Sequence, residues 1–259
     1  HSTSRRQRQM CIRDRDTEHV LSEYPRPLMR RKSYINLNGY WDYRICRESG
    51  KRPPASFEGK ILVPFSPESV LSGVKRRLRP EETLWYHRTF ENPAQSGERI
   101  LLHFGAVDQM CVVYINGRRA GCHKGGYLPF TIDVTRYLKE GENDLCVRVR
   151  DISDQSWHAK GKQKIQKGGM FYTAQSGIWQ TVWMEAVPHN YIEEIKCRPF
   201  YDTGEVEITV FANVAKKARI ILEGRVCEAG TNEPVRIRLR EKRSWTPWDP
   251  YLYEFEVRM

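Results

Sequence analysis

The side chains best suited to binding chemistry are concentrated in residues 151–175 (DISDQSWHAKGKQKIQKGGMFYTAQ). The aromatic residues Trp157, Phe171 and Tyr172 are interspersed there with amides, hydroxyls and ammonium groups. A flat ring covers the C–H surface of a pyranose, while amides, hydroxyls and cations meet its hydroxyl groups. The segment is polar and long, and structureless connections beyond about 12–15 residues are uncommon unless they are functional or disordered. Its aromatic residues argue against disorder. The competing reading is a loop packed on a neighbouring domain, with Lys160, Lys162, Lys164 and Lys167 simply solvated.

Other chemistry-bearing residue types form no recognisable constellation. His87, His103, His123 and His158 lack metal-ligand spacing, and no metal site is expected. The seven cysteines, at positions 11, 46, 111, 122, 146, 197 and 227, include no C-x-x-C pair. Cys111, Cys146 and Cys197 lie in apolar runs, as small buried hydrophobes do. That usage suits a reducing compartment, so a cytoplasmic location is expected; a periplasmic or secreted one stays open if a leader preceded residue 1. Gly125-Gly126 reads as a tight turn, since no phosphate-loop pattern follows it.

The elements that must position the 151–175 segment are strands. Residues 83–90 place Leu84, Tyr86, Arg88 and Phe90 on one face and Trp85, His87 and Thr89 on the other. Residues 110–115 and 118–123 flank Asn116-Gly117, a strong hairpin signal. Further runs of the same kind cover 41–45, 100–104, 145–149, 178–185, 192–197, 206–210, 220–223, 235–240 and 253–257. Trp41, Trp85, Trp179 and Trp183 lie on such runs and are expected in the core. Helix is expected only at 16–24 and at 134–138. About a dozen short strands predict an all-β protein of sandwich or barrel type and exclude a complete (β/α)8 barrel.

Pro188 with His189-Asn190 divides the chain into 16–188 and 189–259. Residues 1–15 hold five Arg and one Asp. Their string RRQRQMCIRDR resembles translated adapter sequence and is set aside from the fold, the alternative being a native basic arm. Without them the formal net charge falls from +11 to +7. The apolar runs are too short to span a bilayer, so no membrane partner is expected.

In order along the chain, several motifs resemble the N-terminal part of family 2 glycoside hydrolases, the β-galactosidase and β-glucuronidase group. They are Tyr24-Pro25-Arg26-Pro27, Leu37-Asn38-Gly39-Tyr40-Trp41-Asp42, Val63-Pro64-Phe65 with Glu68-Ser69, and Leu84-Trp85-Tyr86-His87-Arg88. Val113-Tyr114-Ile115-Asn116-Gly117, the run from His123 to Phe130, the run from Ser176 to Trp183, and the run from Trp245 to Tyr253 follow. The resemblance implies a galactose-binding-like jelly roll at 16–188, an immunoglobulin-like sandwich at 189–259, small for its type, and then a (β/α)8 barrel that these 259 residues do not include. It also implies no cofactor and a β-glycoside carbohydrate as partner beside the barrel, and it leaves self-association open.

In that family both catalytic carboxylates belong to the barrel, so no catalytic residue is assigned here and the chain alone is expected to be inactive. Retaining hydrolysis needs two carboxyl groups about 5–5.5 Å apart. Adjacent Glu193 and Glu194 on a strand would face opposite ways, and nothing in the sequence marks Asp151 or Asp154 as an acid of raised pKa. The resemblance implies that the 151–175 loop helps shape the sugar site. Some relatives carry an Asp six positions before the Gly of the Ser-Gly-Ile match, where this chain has Phe171. The expected sugar contacts are therefore Gln163 and Lys162 as polar groups and Trp157 or Tyr172 as the stacking face. The rival readings are a purely structural scaffold and a basic binder of nucleic acid or polyanions. The sequence pI of about 9.4 favours the latter. Against it, part of the charge lies in residues 1–15 and no nucleic-acid motif appears, so no nucleic-acid partner is expected.

Overall fold

The structure is a computed structural model and describes residues 20–47, 50, 52–95 and 97–259. Within them it is almost entirely β and divides into two compact units, one built on Lys32–Ala186 with the described residues up to Pro25, the other on Val187–Met259 with Arg26–Arg31.

The first unit is a sandwich of two main sheets. The larger has six antiparallel strands in the order Gly59–Val63, Gly39–Cys46, Thr83–Glu91, Glu142–Arg150, Met110–Ile115 and Arg118–Lys124. The smaller orders Tyr34–Asn36, Val182–Val187, Arg99–Phe104 and Phe130–Asp133. Period-2 alternation explains the packing. Leu84, Tyr86 and Phe90 enter one core with Trp41, Ile100, Leu102, Phe104, Val113, Leu145, Val147 and Met184. Each fully buried aliphatic side chain there contributes roughly 1.5–3 kcal/mol. Trp85, of opposite parity, packs on the other face with Tyr114 and Cys146.

The hairpin forms where Asn116-Gly117 places it. Asn116 at φ 50° and Gly117 at φ 74° give the left-handed pair that a two-residue turn of this twist requires. The Asn116 amide donates to Tyr137 O at 3.0 Å and to Asn143 Oδ1 at 2.8 Å, tying the turn to the next strand.

The second unit has two three-stranded antiparallel sheets. One orders Ile192–Phe200, Glu205–Ala212 and Pro234–Arg238; the other orders Arg225–Gly230, Lys217–Leu222 and Phe255–Arg258. The first, second and fifth strands thus face the third, fourth and sixth, the crossover pattern of an immunoglobulin-like sandwich. Its core is small: Ile195, Ile208, Val210, Ala218 and Ile220.

Several expectations need correction. The run 178–185 is two strands, Gly177–Ile178 and Val182–Val187, because the first pairs with Val107–Asp108 instead of continuing. Trp179 falls in the gap, 37% exposed, and is not core. Trp183 is buried as expected, and stacks on His103 at 4.8 Å. Residues 134–138 form one 3-10 turn, Thr135–Tyr137. The helix expected at 16–24 is absent from 20–24, which are turn and bend; 16–19 and the segment 1–15 lie outside the described residues. Cys197 is half-buried, unlike Cys111 and Cys146. The strand Arg225–Gly230 escaped the sequence reading, since its Arg, Glu and Gly leave little apolar alternation.

Gly177 shows how tightly the closing strand is fitted. It sits at φ 79°, and a Cβ there would stand 2.1 Å from the Tyr86 hydroxyl, which accepts a hydrogen bond from Ile178 N at 3.1 Å. Gly177→Ala should therefore destabilise the fold by about 2–4 kcal/mol, through steric conflict and an unfavourable φ together. Urea denaturation checks this; a loss below about 0.5 kcal/mol would contradict the packing described.

Candidate functional site

The 151–175 segment is ordered by its own ladder. Gln163–Lys164 pairs in parallel with Tyr172–Thr173, which sets Gln163 level with Tyr172, and Tyr172 N donates to Lys162 O at 2.8 Å. Reciprocal bonds between Gly168 and Phe171 close the turn between them, where Gly169 takes φ 56°. The Lys164 ammonium lies 3.9 Å from the centroid of the Phe171 ring, a cation–π contact. Asp154 Oδ1 accepts from Ile165 N at 3.2 Å, and the Arg77 guanidinium donates to Ile165 O.

Three carboxylates lie at the root of this loop. Glu68 accepts from Leu78 N at 3.0 Å and from Ser176 N at 3.1 Å. Asp151 accepts from Ser153 N at 2.6 Å and from the Ser176 hydroxyl at 2.8 Å. Asp108 stands so close to Gly126 that a Cβ on that residue would come within 2.4 Å of its carboxylate, which would have to shift to admit a side chain. Gln163 Oε1 accepts from Gln175 N at 2.6 Å, and the Ser66 hydroxyl donates to the Gln175 side chain.

Burial dominates the electrostatics. It pushes Glu68 up to about 7, although backbone N–H donors pull the other way. Asp108 is also pushed up to about 7, by burial first and then by the neighbouring Asp151 and Glu68 charges. Burial raises Asp151 as well, against the donors from Ser153 and Ser176. The sequence marked no raised acid at Asp151; the reason it is one is that the strand preceding the loop carries it inside, 3% exposed. Tyr127 is raised by burial and by Asp108, while its hydrogen bond with Gln163 opposes this. Trp179 completes the surround, donating from Nε1 to Gly126 O at 2.7 Å and meeting Tyr127 edge-on at 6.2 Å.

Of the residues expected to contact sugar, Gln163 and Tyr172 are brought together by the ladder. Gln163 is half-buried and its carbonyl oxygen is already used by Gln175. Tyr172 is 70% exposed, Lys162 is exposed beside it, and Trp157 is 94% exposed with no ring partner among the described residues. Sequence reasoning missed Glu68, Asp108, Tyr127 and Trp179 as members of the site. The one available signal was an acid inside the apolar run Ala106-Val107-Asp108-Gln109-Met110-Cys111. Glu193 and Glu194 are both exposed, beside a bulge in their strand. Among the described residues no group of His, Cys, Asp or Glu is arranged to hold a metal.

Glu68 and Asp151 use both oxygens on backbone and hydroxyl donors, and the aromatic rings and amides around them are groups that can meet ligand C–H faces and hydroxyls. Residues 74–188 match the family described as glycosyl hydrolases family 2, sugar binding domain. Residues 74–188 therefore form a domain of the glycosyl hydrolase family 2 sugar-binding type. It is 28% identical over 191 residues to a putative beta-glucuronidase of Formosa agariphila, covering 67% of this chain and 22% of that protein. It is 26% identical over 196 residues to a beta-galactosidase of Thermoanaerobacter pseudethanolicus, covering 68% and 26%. The solved structure of an uncultured Clostridium sp. beta-glucuronidase superposes with TM-score 0.66 at 25% identity, over 89% of this chain and 44% of that one. The chain spans less than half the length of these relatives.

Asp108 allows the electrostatics to be checked. Its folded pKa is raised above the ordinary carboxylate value, so its contribution to stability is full below about pH 4 and is lost as pH rises toward 7. Asp108→Asn removes that loss. The variant should match the parent protein near pH 4 and exceed it by about 2 kcal/mol at pH 8 in urea denaturation. An equal difference at both pH values would contradict a raised Asp108.

Proposed function

We propose that this chain is the non-catalytic N-terminal part of a family 2 β-glycosidase, with a jelly-roll sugar-binding domain at 16–188 and an immunoglobulin-like domain at 189–259. On this reading, its 151–175 loop helps line the sugar site of a (β/α)8 barrel, which supplies the acid/base and the nucleophile. The observation that carries the reading is the match of residues 74–188 to a sugar-binding domain, within a chain that covers under half of its glycosidase relatives.

Glu68 and Asp151 do not offer an alternative catalytic pair. The general acid of a glycosidase must reach the glycosidic oxygen. Both Glu68 oxygens are engaged by backbone N–H groups, and Asp151 is engaged by Ser153 and Ser176. These acids hold the loop root, and the exposed residues Tyr172 and Lys162 are left to face a ligand. Substrate is then a β-glycoside bound partly by this loop, with the exposed Tyr172 ring against the pyranose face and polar groups against its hydroxyls.

The purified chain should release no nitrophenol from 4-nitrophenyl β-galactoside or β-glucuronide. Turnover that disappears when Glu68 or Asp108 is neutralised would overturn the assignment. For the binding role, saturation-transfer NMR with methyl β-glycosides should show contact, and Tyr172→Ala should weaken it at least about fivefold, the cost of one lost aromatic contact. An unchanged signal in that variant would remove Tyr172 from the site.

A further inference from the structure

The six-stranded sheet carries a concave site on the face turned away from its main core. An open cavity of about 620 Å3 lies over Asp42, His87 and Asp144 and is walled by Pro53, Pro54 and Phe57. Its geometry follows from strand order. His87 is on the Thr83–Glu91 strand, with the Gly39–Cys46 and Glu142–Arg150 strands on either side. Asp42 on one neighbour approaches Nδ1 at 3.3 Å, and Asp144 on the other approaches Nε2 at 3.1 Å. Phe57 stacks on the imidazole with centroids 4.9 Å apart and planes 15° from parallel.

The lining is chemically divided. Asp42 is engaged on both oxygens, by His87 and by Lys60 at 2.7 Å. Asp144 is half-exposed, and its second oxygen takes no protein donor among the described residues. The Phe57 ring and the proline rings supply flat C–H surface. The volume falls within the ~300–1,000 Å3 typical of small-molecule sites. A ligand that fits must present hydroxyl donors to a carboxylate and an apolar face to rings, and the Asp144 carboxylate, which has no lysine or arginine partner among the described residues, disfavours an acidic one.

We propose that this cavity is a subsite for a neutral hexopyranose unit, with Asp144 accepting from its hydroxyls and the Phe57–Pro54 wall covering its C–H face. The proposal uses residues that the 151–175 loop does not share, and it stands apart from the role assigned to that loop.

The test is a titration of the 259-residue chain with methyl β-galactopyranoside and methyl β-glucopyranoside, followed at the His87 ring protons, which are assigned by their loss in His87→Asn. The expected result is a saturable shift with at least one neutral sugar, a weaker response to sodium glucuronate, and affinity reduced about tenfold in Asp144→Ala, as loss of one charge-assisted hydrogen bond requires. Asp144→Asn, which keeps shape and removes charge, serves if the alanine variant does not fold. His87 signals unmoved by both neutral sugars, a stronger response to glucuronate, or an undiminished response in the Asp144 variant would overturn the proposal. The readout is local to His87, so absent sugar contact at the loop would not imitate this failure.

Discussion

Glu68 and Asp151 hold Ser176 from two sides, one at its amide and the other at its hydroxyl. That pair of bonds fixes where the 151–175 loop rejoins the sandwich, because Ser176 immediately precedes the Gly177–Ile178 strand. From there the constraint spreads in both directions. Gly177 and Ile178 fit against the Tyr86 hydroxyl in the core, and Gln175 is fastened to Gln163 and Ser66 at the base of the loop. The exposed face of the loop is therefore placed by buried groups beneath it, while its tip is held by a two-residue ladder, the Gly168–Phe171 bonds, the Lys164–Phe171 contact and the Arg77 and Asp154 contacts.

This arrangement costs stability. Burying three carboxylates near one another raises their proton affinity, and the backbone donors offset only part of the desolvation. A purely structural solution would replace the acids by apolar side chains of similar volume. What the carboxylates provide instead is acceptors in fixed directions, which bond to Ser176, Ser153 and Leu78 and settle one loop geometry.

The same strand alternation that builds the core also equips the opposite face. On Thr83–Glu91, Leu84 and Tyr86 turn inward, so Trp85 and His87 must turn outward. Trp85 finds Tyr114 and Cys146, and His87 finds two aspartates and a stacked phenylalanine. One sequence pattern thus yields an apolar core on one face of the sheet and a polar region on the other.

Local rules made much of the fold legible. Parity told Leu84 and Tyr86 from Trp85, Asn116-Gly117 located the hairpin, and the ordered motifs indicated the family, since each depends only on neighbours in the chain. Trp179 was misread because alternation cannot show that a strand breaks to pair with Val107–Asp108. The loop stood out by its length and its aromatic residues, and its ladder sets Gln163 level with Tyr172, yet the acids beneath it were not foreseen. The proton affinity of Glu68, Asp108 and Asp151 depends on burial and on one another, and those residues are separated by tens of positions. The sequence by itself determined strand type, facing and turn chemistry, which are set by steric periods of two and by φ. Only the tertiary structure decided which carboxylates share a buried site, because desolvation and through-space charge exist only once distant strands are packed together.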